Sequence, residues 1–313
     1  MLAPVFEYAR MRSWPFPFSP RDAGIYPFAT GQIWGARASY IVKSSYFPFR
    51  KHIYRSGIGR KPYSLVKQTP AECSSAIILT AAYYNETGDA AFIMENADLF
   101  SKWADYLVSL GIYFEQISAD DFLGIPGKNV NLAIKCVTAV ALWARLLEKI
   151  RPGDGRKYSE YASAAAKELE RVSDAGQHTT LAIDERKSWS LKYNLYFAAL
   201  FCPGLFSESL VKKEAAFYRK KLNKYGVPLD SRTENCKSDR LMFAAALDGG
   251  INNEAFSSAL AKMLSDADDR VPFTDYFNSV TGEMNAFFAR GVQGAVWAEE
   301  YARKVREKGG YLF

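Results

Sequence analysis

Asn131–Leu147, NLAIKCVTAVALWARLL, decides the fold. A surface helix carries one apolar stripe and an opposite polar face. This stretch is apolar on nearly every side, and a helix of that kind belongs inside a core. SSAIILTAAYY (74–84), SLKYNLYFAALF (190–201), RLMFAAAL (240–247) and AFFARGVQGAVWAEEYA (286–302) share its character. Segments of a second kind lie between them. In GRKYSEYASAAAKELERV (155–172), Tyr158, Tyr161, Ala165, Leu169 and Val172 recur at three- and four-residue steps. SLVKKEAAFYRKKLNKY (209–225), FIMENADLFSKWADYLVSLG (92–111) and FSSALAKMLSDA (256–267) carry one stripe in the same way. These read as half-exposed helices, and their charges as a solvated face.

The two kinds alternate. Repeated inner–outer hairpins predict an all-α chain built as an α/α toroid, with inner helices around an axis and outer helices shielding them. No fixed period of the solenoid kind is present. Residues 1–70 differ, being rich in Pro, Gly and aromatics, and are expected to form a loop-rich, basic segment packed on the helices of 71–313. Their aromatics need burial, so the whole chain is treated as one domain.

Composition narrows the function. The chain is 49% hydrophobic, 24% charged and 15% aromatic, with a net charge of +6. The basic residues are scattered, which argues against nucleic acid as a partner. Cys73, Cys136, Cys202 and Cys236 show no CxxC spacing, which argues against a zinc site. His52 and His178 are the two histidines, and neither has a GxSxG partner for a serine mechanism. No run of about 18 uninterrupted apolar residues predicts a membrane span. The start, MLAPVFEYARMRSW, lacks the charged opening and apolar core of a signal peptide.

In a toroid of hairpins, all inner helices run the same way and their N-termini share one face. Polar residues stand there. Glu72 lies at the first inner helix. Asp120, Asp121, Asn129 and Asn131 precede or open the second, and Trp189, Lys192 and Asn194 the third. Asp230, Arg232, Lys237 and Asp239 precede the fourth, Asp275 and Tyr276 the fifth, and Asp22 sits in the aromatic loop. Helix capping accounts for each carboxylate singly. It accounts less well for cations at the same helix starts, and a mixed charge cluster with aromatics at a concave mouth also reads as a site.

Seven motifs carry a resemblance. PFSPRDAGIYPFATGQ, AECSSAIILTAA, ADDFLGIPGKNVNLAIK, SWSLKYNL, YGVPLDSRTENCKSD, RVPFTDYFNSVTG and FFARGVQGA occur in this order. Together they resemble the C-terminal toroid region of the glutaminase A-like family, secreted fungal and bacterial proteins with an (α/α)6 fold. The resemblance implies amide hydrolysis of L-glutamine, a small-molecule substrate and no cofactor or metal. The same toroid is shared with many glycoside hydrolases, so a sugar is the further alternative. Either chemistry is served by two carboxylates, one activating water and one protonating the leaving group. Asp120 or Asp121 with Glu72 is the expected catalytic pair, because these lie at consecutive inner helices. Asp22, Asn129, Asn131, Trp189, Lys192, Asn194, Asp230, Arg232, Asp239 and Asp275 are the expected substrate-binding residues.

The departures from the family pattern fall at the mouth. Arg21 stands where the family usually has His, Ala71 where it has Glu, and Ser74-Ser75 where it has Gly-Asn. Ala198 stands for Asp and Arg240 for Trp. These changes point to altered or lost activity, so a non-catalytic ligand-binding protein is kept as the alternative. The family's earlier domains and first toroid helices are also unmatched. The expected ring is therefore incomplete, with roughly ten helices instead of twelve and a gap for another chain to fill. Whether the chain acts as a fragment, and in which compartment, stays open, since the resemblance implies secretion and the first residues carry no visible signal.

Overall fold

The computed structural model describes residues 3–10, 17–19, 22–25, 28–30, 69–115, 127–268, 273–285 and 291–307. Among these residues the chain is all-α, with only short strands at its rim. The helices are α1 (Ala3–Arg10), α2 (Thr69–Thr87), α3 (Ala91–Glu95), α4 (Ala97–Leu110), α5 (Val130–Ile150) and α6 (Arg156–Ser173). They continue with α7 (Leu195–Phe201), α8 (Glu208–Lys220), α9 (Ser238–Ala245), α10 (Asn253–Asp266) and α11 (Ala298–Glu307), the last preceded by a 3-10 helix at Gly291–Trp297.

The alternation of sequence character is the alternation of layers. α5 holds the centre. Val130, Leu132, Ala133, Val137, Val140, Leu142, Trp143 and Leu146 are all buried, on every side of the helix. Each fully buried Leu or Val contributes about 1.5–3 kcal/mol relative to exposure, as an upper bound. By length and composition α5 passes for a membrane span, but it is buried among the other helices of the core. Asn129 starts it: its backbone is extended, and its side chain accepts a hydrogen bond from the Leu132 amide at 2.9 Å. α6 returns antiparallel with Tyr158, Ala162, Ala165, Ala166 and Leu169 turned inward. Gly155 permits the tight turn between them, since a Cβ there would stand 2.3 Å from the Ala144 carbonyl oxygen.

α2, α5, α7 and α9 are the inner helices, and α4, α6, α8 and α10 pack outside them. The stretch 286–302 departs from the expected continuous buried helix. Residues 291–297 form a 3-10 helix before α11, and Val296 and Trp297 are exposed. Gly291 and Gly294 weaken an α-helix here. The arm 291–307 still takes an inner position. Ser238 donates to Gln293 at 3.1 Å, Tyr196 donates to the Ala298 carbonyl at 2.8 Å, and Tyr301 donates to Glu86 of α2 at 3.0 Å. It therefore runs from the start of α9 to the end of α2. Leu79 and Tyr83 of α2 and Trp297 of the arm stand exposed along this seam.

A collar of short backbone pairings ties the loops ahead of successive inner helices. Asn129 bridges Ala182, Ser190 bridges Asp230, and β1 of this collar, Asn235–Lys237, pairs antiparallel with β2, Tyr276–Asn278. From α5 onward, each described loop that feeds one inner helix is thus hydrogen-bonded to the loop that feeds the next. Two described parts of the first 70 residues meet the helices that follow. α1, expected as loop, inserts Phe6 among Phe92, Phe100 and Trp103 at ring distances near 5 Å. Farther on, the Ser19 amide donates to the Cys73 sulfur at 3.2 Å. Residues 31–68 lie outside the described residues.

Candidate active site

The N-terminal ends of the inner helices enclose a cavity of about 190 Å3. α2 contributes Ala71, Ser75 and Ile78. These residues lie on one helical stripe at three- and four-residue spacing. α5 contributes Lys135, the approach to α7 contributes Tyr193 and Asn194, and α9 contributes Arg240. Phe197 and Phe243 form the apolar floor. A larger hollow of about 400 Å3 opens near the far ends of α7 and α9, and Glu208 and Lys212 at its rim pair with each other. Convergent polar groups from three inner helices single out the first cavity.

Lys135 donates to the Ser75 hydroxyl at 2.7 Å, joining α5 to α2 across the cavity. Asn194 is buried. Its amide nitrogen donates to the Asn131 side-chain oxygen, and its own side chain donates to the Asn131 carbonyl, each at 3.1 Å. The pair thus locks the start of α7 to the start of α5. The Arg240 guanidinium lies 4.4 Å above the centre of the Tyr193 ring and donates to Asp239 at 2.7 Å. Behind it is a buried chain of charge. Asp239 accepts from Lys237 at 3.1 Å, and Lys237 also donates to Asp275. Asp239, Lys237 and Asp275 are all buried.

Other expected residues lie around the mouth without lining this cavity. Asp230 accepts two bonds from the Arg232 guanidinium, at 3.0 and 2.7 Å, and a third from the Arg232 amide at 2.8 Å. Trp189 packs edge-on against Phe217 at 5.5 Å, with Lys221 over its ring. Lys192 is fully buried and donates to the Thr179 carbonyl and to both oxygens of Ser190. Burial pushes its ammonium down to about 8, against the pull of the Glu214 and Asp230 carboxylates. Glu214, unmarked by any motif, accepts from Thr179 and from the Tyr218 hydroxyl. This network joins the loop before α7 to α8. Asn129 caps α5 and does not line the cavity.

Glu72 is half-buried in the first turn of α2, between Ala71 and Ser75 of the cavity wall. Asp22 lies on the strand Asp22–Ile25, but its side chain is outside the described residues. Asp120 and Asp121 are likewise outside them. Burial raises the thiols of all four cysteines, with Cys136 and Cys202 near 12, as befits buried apolar side chains. No group of three or more metal-ligating side chains is present among the described residues.

Lys135 and Tyr193 were not singled out in sequence. Lys135 had a signal: it is the lone charge between Asn131 and Trp143 in an otherwise buried helix. Arg240, Ala71 and Ser75 were marked only as departures, and all three line the cavity.

The glutaminase A six helical-hairpin domain matches residues 1–300. The chain belongs to that family. Glutaminase A of Aspergillus oryzae (strain ATCC 42149 / RIB 40) is 29% identical over 308 residues, covering 95% of this chain and 41% of that protein. A probable glutaminase of Arthroderma benhamiae (strain ATCC MYA-4681 / CBS 112371) is 26% identical over 236 residues, covering 64% of this chain and 27% of that protein. The chain spans less than half the length of the curated relatives it matches. Family membership and the six-hairpin architecture agree with the expectation drawn from the seven motifs.

Proposed function

We propose that the chain is a glutaminase-like hydrolase that cleaves the side-chain amide of L-glutamine at the mouth of the toroid. One observation carries the reading: in a member of the glutaminase A family, three inner helices bring Lys135, Asn194 and Arg240 to a single cavity beside the first turn of α2, which bears Glu72. Glu72 supplies one carboxylate, and Asp120 or Asp121 the other. One carboxylate takes a proton from water as it attacks the amide carbon, and the other gives a proton to the departing ammonia. The test is ammonia release from L-glutamine by the purified chain. Glu72→Gln and Asp121→Asn are each expected to lower kcat by about 100-fold or more with the fold intact by circular dichroism. Absence of ammonia release in the parent, on glutamine and with no sugar released from a glycoside panel, removes this reading.

A second reading has its own observation. Ala71, Ser75 and Arg240 line the cavity at positions where the resemblance expects Glu, Asn and Trp. A protein that binds a small ligand without turning it over, or whose ring another chain completes along the exposed seam of α2 and 291–307, fits those replacements. Calorimetric binding of a ligand with no product formed would favour it.

A further inference from the structure

We propose that the hollow of about 400 Å3 at the far ends of α7 and α9 is a second binding site, which holds a small zwitterionic α-amino acid with an apolar side chain between Asp248 and Arg306. It shares no lining residue with the mouth cavity and does not depend on turnover there. Its volume falls within the roughly 300–1,000 Å3 of small-molecule sites. Leu200, Phe206 and Val211 give it apolar walls. Its charged lining residues are Glu208, Lys212, Asp248 and Arg306. Glu208 and Lys212 pair across one helical turn and cancel each other.

Asp248 and Arg306 do not pair with each other. The Asp248 side chain makes no hydrogen bond or ion pair among the described residues. It is also placed against two local preferences. It follows the C-terminus of α9, where the helix dipole disfavours a carboxylate. Its φ is 50°, the one positive value at a non-glycine residue among the described residues. No bond of its own side chain offsets either cost, and an ammonium group in the hollow offsets the first. Arg306 of α11 is the opposite pole. Glu299 takes one of its Nη atoms at 2.6 Å, which leaves its other N–H groups for a carboxylate. A purely cationic ligand would meet Lys212 and Arg306, and a purely anionic one would meet Glu208 and Asp248. A zwitterion satisfies both poles, and its apolar side chain covers the Leu200, Phe206 and Val211 wall.

The test is isothermal titration of the purified chain with L-leucine, with isoamylamine, which lacks the carboxylate, and with isocaproate, which lacks the amine. L-Leucine is expected to bind at least ten times more tightly than either analogue. Asp248→Asn and Arg306→Gln are each expected to weaken L-leucine at least ten-fold. Asn matches Asp in size and tolerates a positive φ, and Arg306 is exposed, so both variants should keep the parent's thermal midpoint. No binding of L-leucine, equal binding of either analogue, or undiminished binding in a folded variant would overturn the proposal. A lowered midpoint in Asp248→Asn would show that the carboxylate already serves the fold, and would overturn it too. The comparison of the three ligands on the parent chain decides the matter even if a variant fails to fold.

Discussion

Lys237 and Lys192 are both buried, and they meet different partners. Lys237 stands between Asp239 and Asp275, with ionic contacts to both. Removing it takes one cation from two buried carboxylates while Asp239 keeps Arg240, so the cost is at most the about 3–5 kcal/mol of a broken buried pair. Lys237→Met should therefore lower unfolding free energy in urea by up to that amount, and adding Asp275→Asn should restore part of it. A loss below about 1 kcal/mol would show that the charges are not paired. Lys192 instead meets carbonyl and hydroxyl oxygens, and burial holds its pKa near 8 against an ordinary 10.5. Between those values the unfolded chain binds more protons than the folded one, so this group adds stability as pH rises from 8 to 10.5. The four buried thiols act in the opposite sense above about pH 9, because they stay protonated in the fold. The measurement must therefore be a difference. The stability of the parent relative to Lys192→Met should grow by on the order of 2 kcal/mol between pH 7 and 9.5. A pH-independent difference would mean that Lys192 titrates normally in the fold.

At the scale of elements, helix type was legible because burial imposes composition. α5 reads as central from its apolar residues alone, and α6 as outer from its stripe. What failed did so for local reasons. The 286–302 segment has the composition of a buried helix, but its described part from Gly291 to Trp297, which contains two glycines, is a 3-10 helix with Trp297 exposed. α1 was hidden because eight residues give too little periodicity, while its docking depends on Phe6 meeting aromatics some 90 residues away. The site was half legible: carboxylates near helix starts mark the mouth, but capping and clustering look alike in sequence. Lys192 shows the limit, since only three-dimensional placement separates a buried structural ammonium from one that lines the cavity. The α5–α6 turn offers an element-scale check. Gly155 has an ordinary helical backbone, so its need is spatial: a methyl group would meet the Ala144 carbonyl at 2.3 Å. Gly155→Ala should cost about 1–3 kcal/mol, the range for overpacking. A stabilised variant would mean that the turn relaxes freely.

At the scale of the whole molecule, the last inner arm is held against α7, α9 and α2. Two of its side-chain bonds come from tyrosines in different surroundings. Tyr196 of α7 is buried and donates to the Ala298 carbonyl at 2.8 Å. Tyr301 reaches Glu86 of α2 at 3.0 Å at an exposed position. An exposed bond exchanges readily with water, whereas a buried bond lost on truncation is not replaced, although the Ala298 carbonyl keeps its in-helix partner at the start of α11. Tyr196→Phe should therefore destabilise the chain by about 0.5–1.5 kcal/mol, and Tyr301→Phe by less than about 0.5 kcal/mol. Hydrogen exchange locates the effect. In Tyr196→Phe, amides of 298–307 should exchange faster while those of α5 change little, because the arm opens at lower cost than the core. Equal acceleration throughout would show that the arm and the core unfold as one unit. It would also show that the seam between 291–307 and α2 is as firmly held as the hairpins themselves.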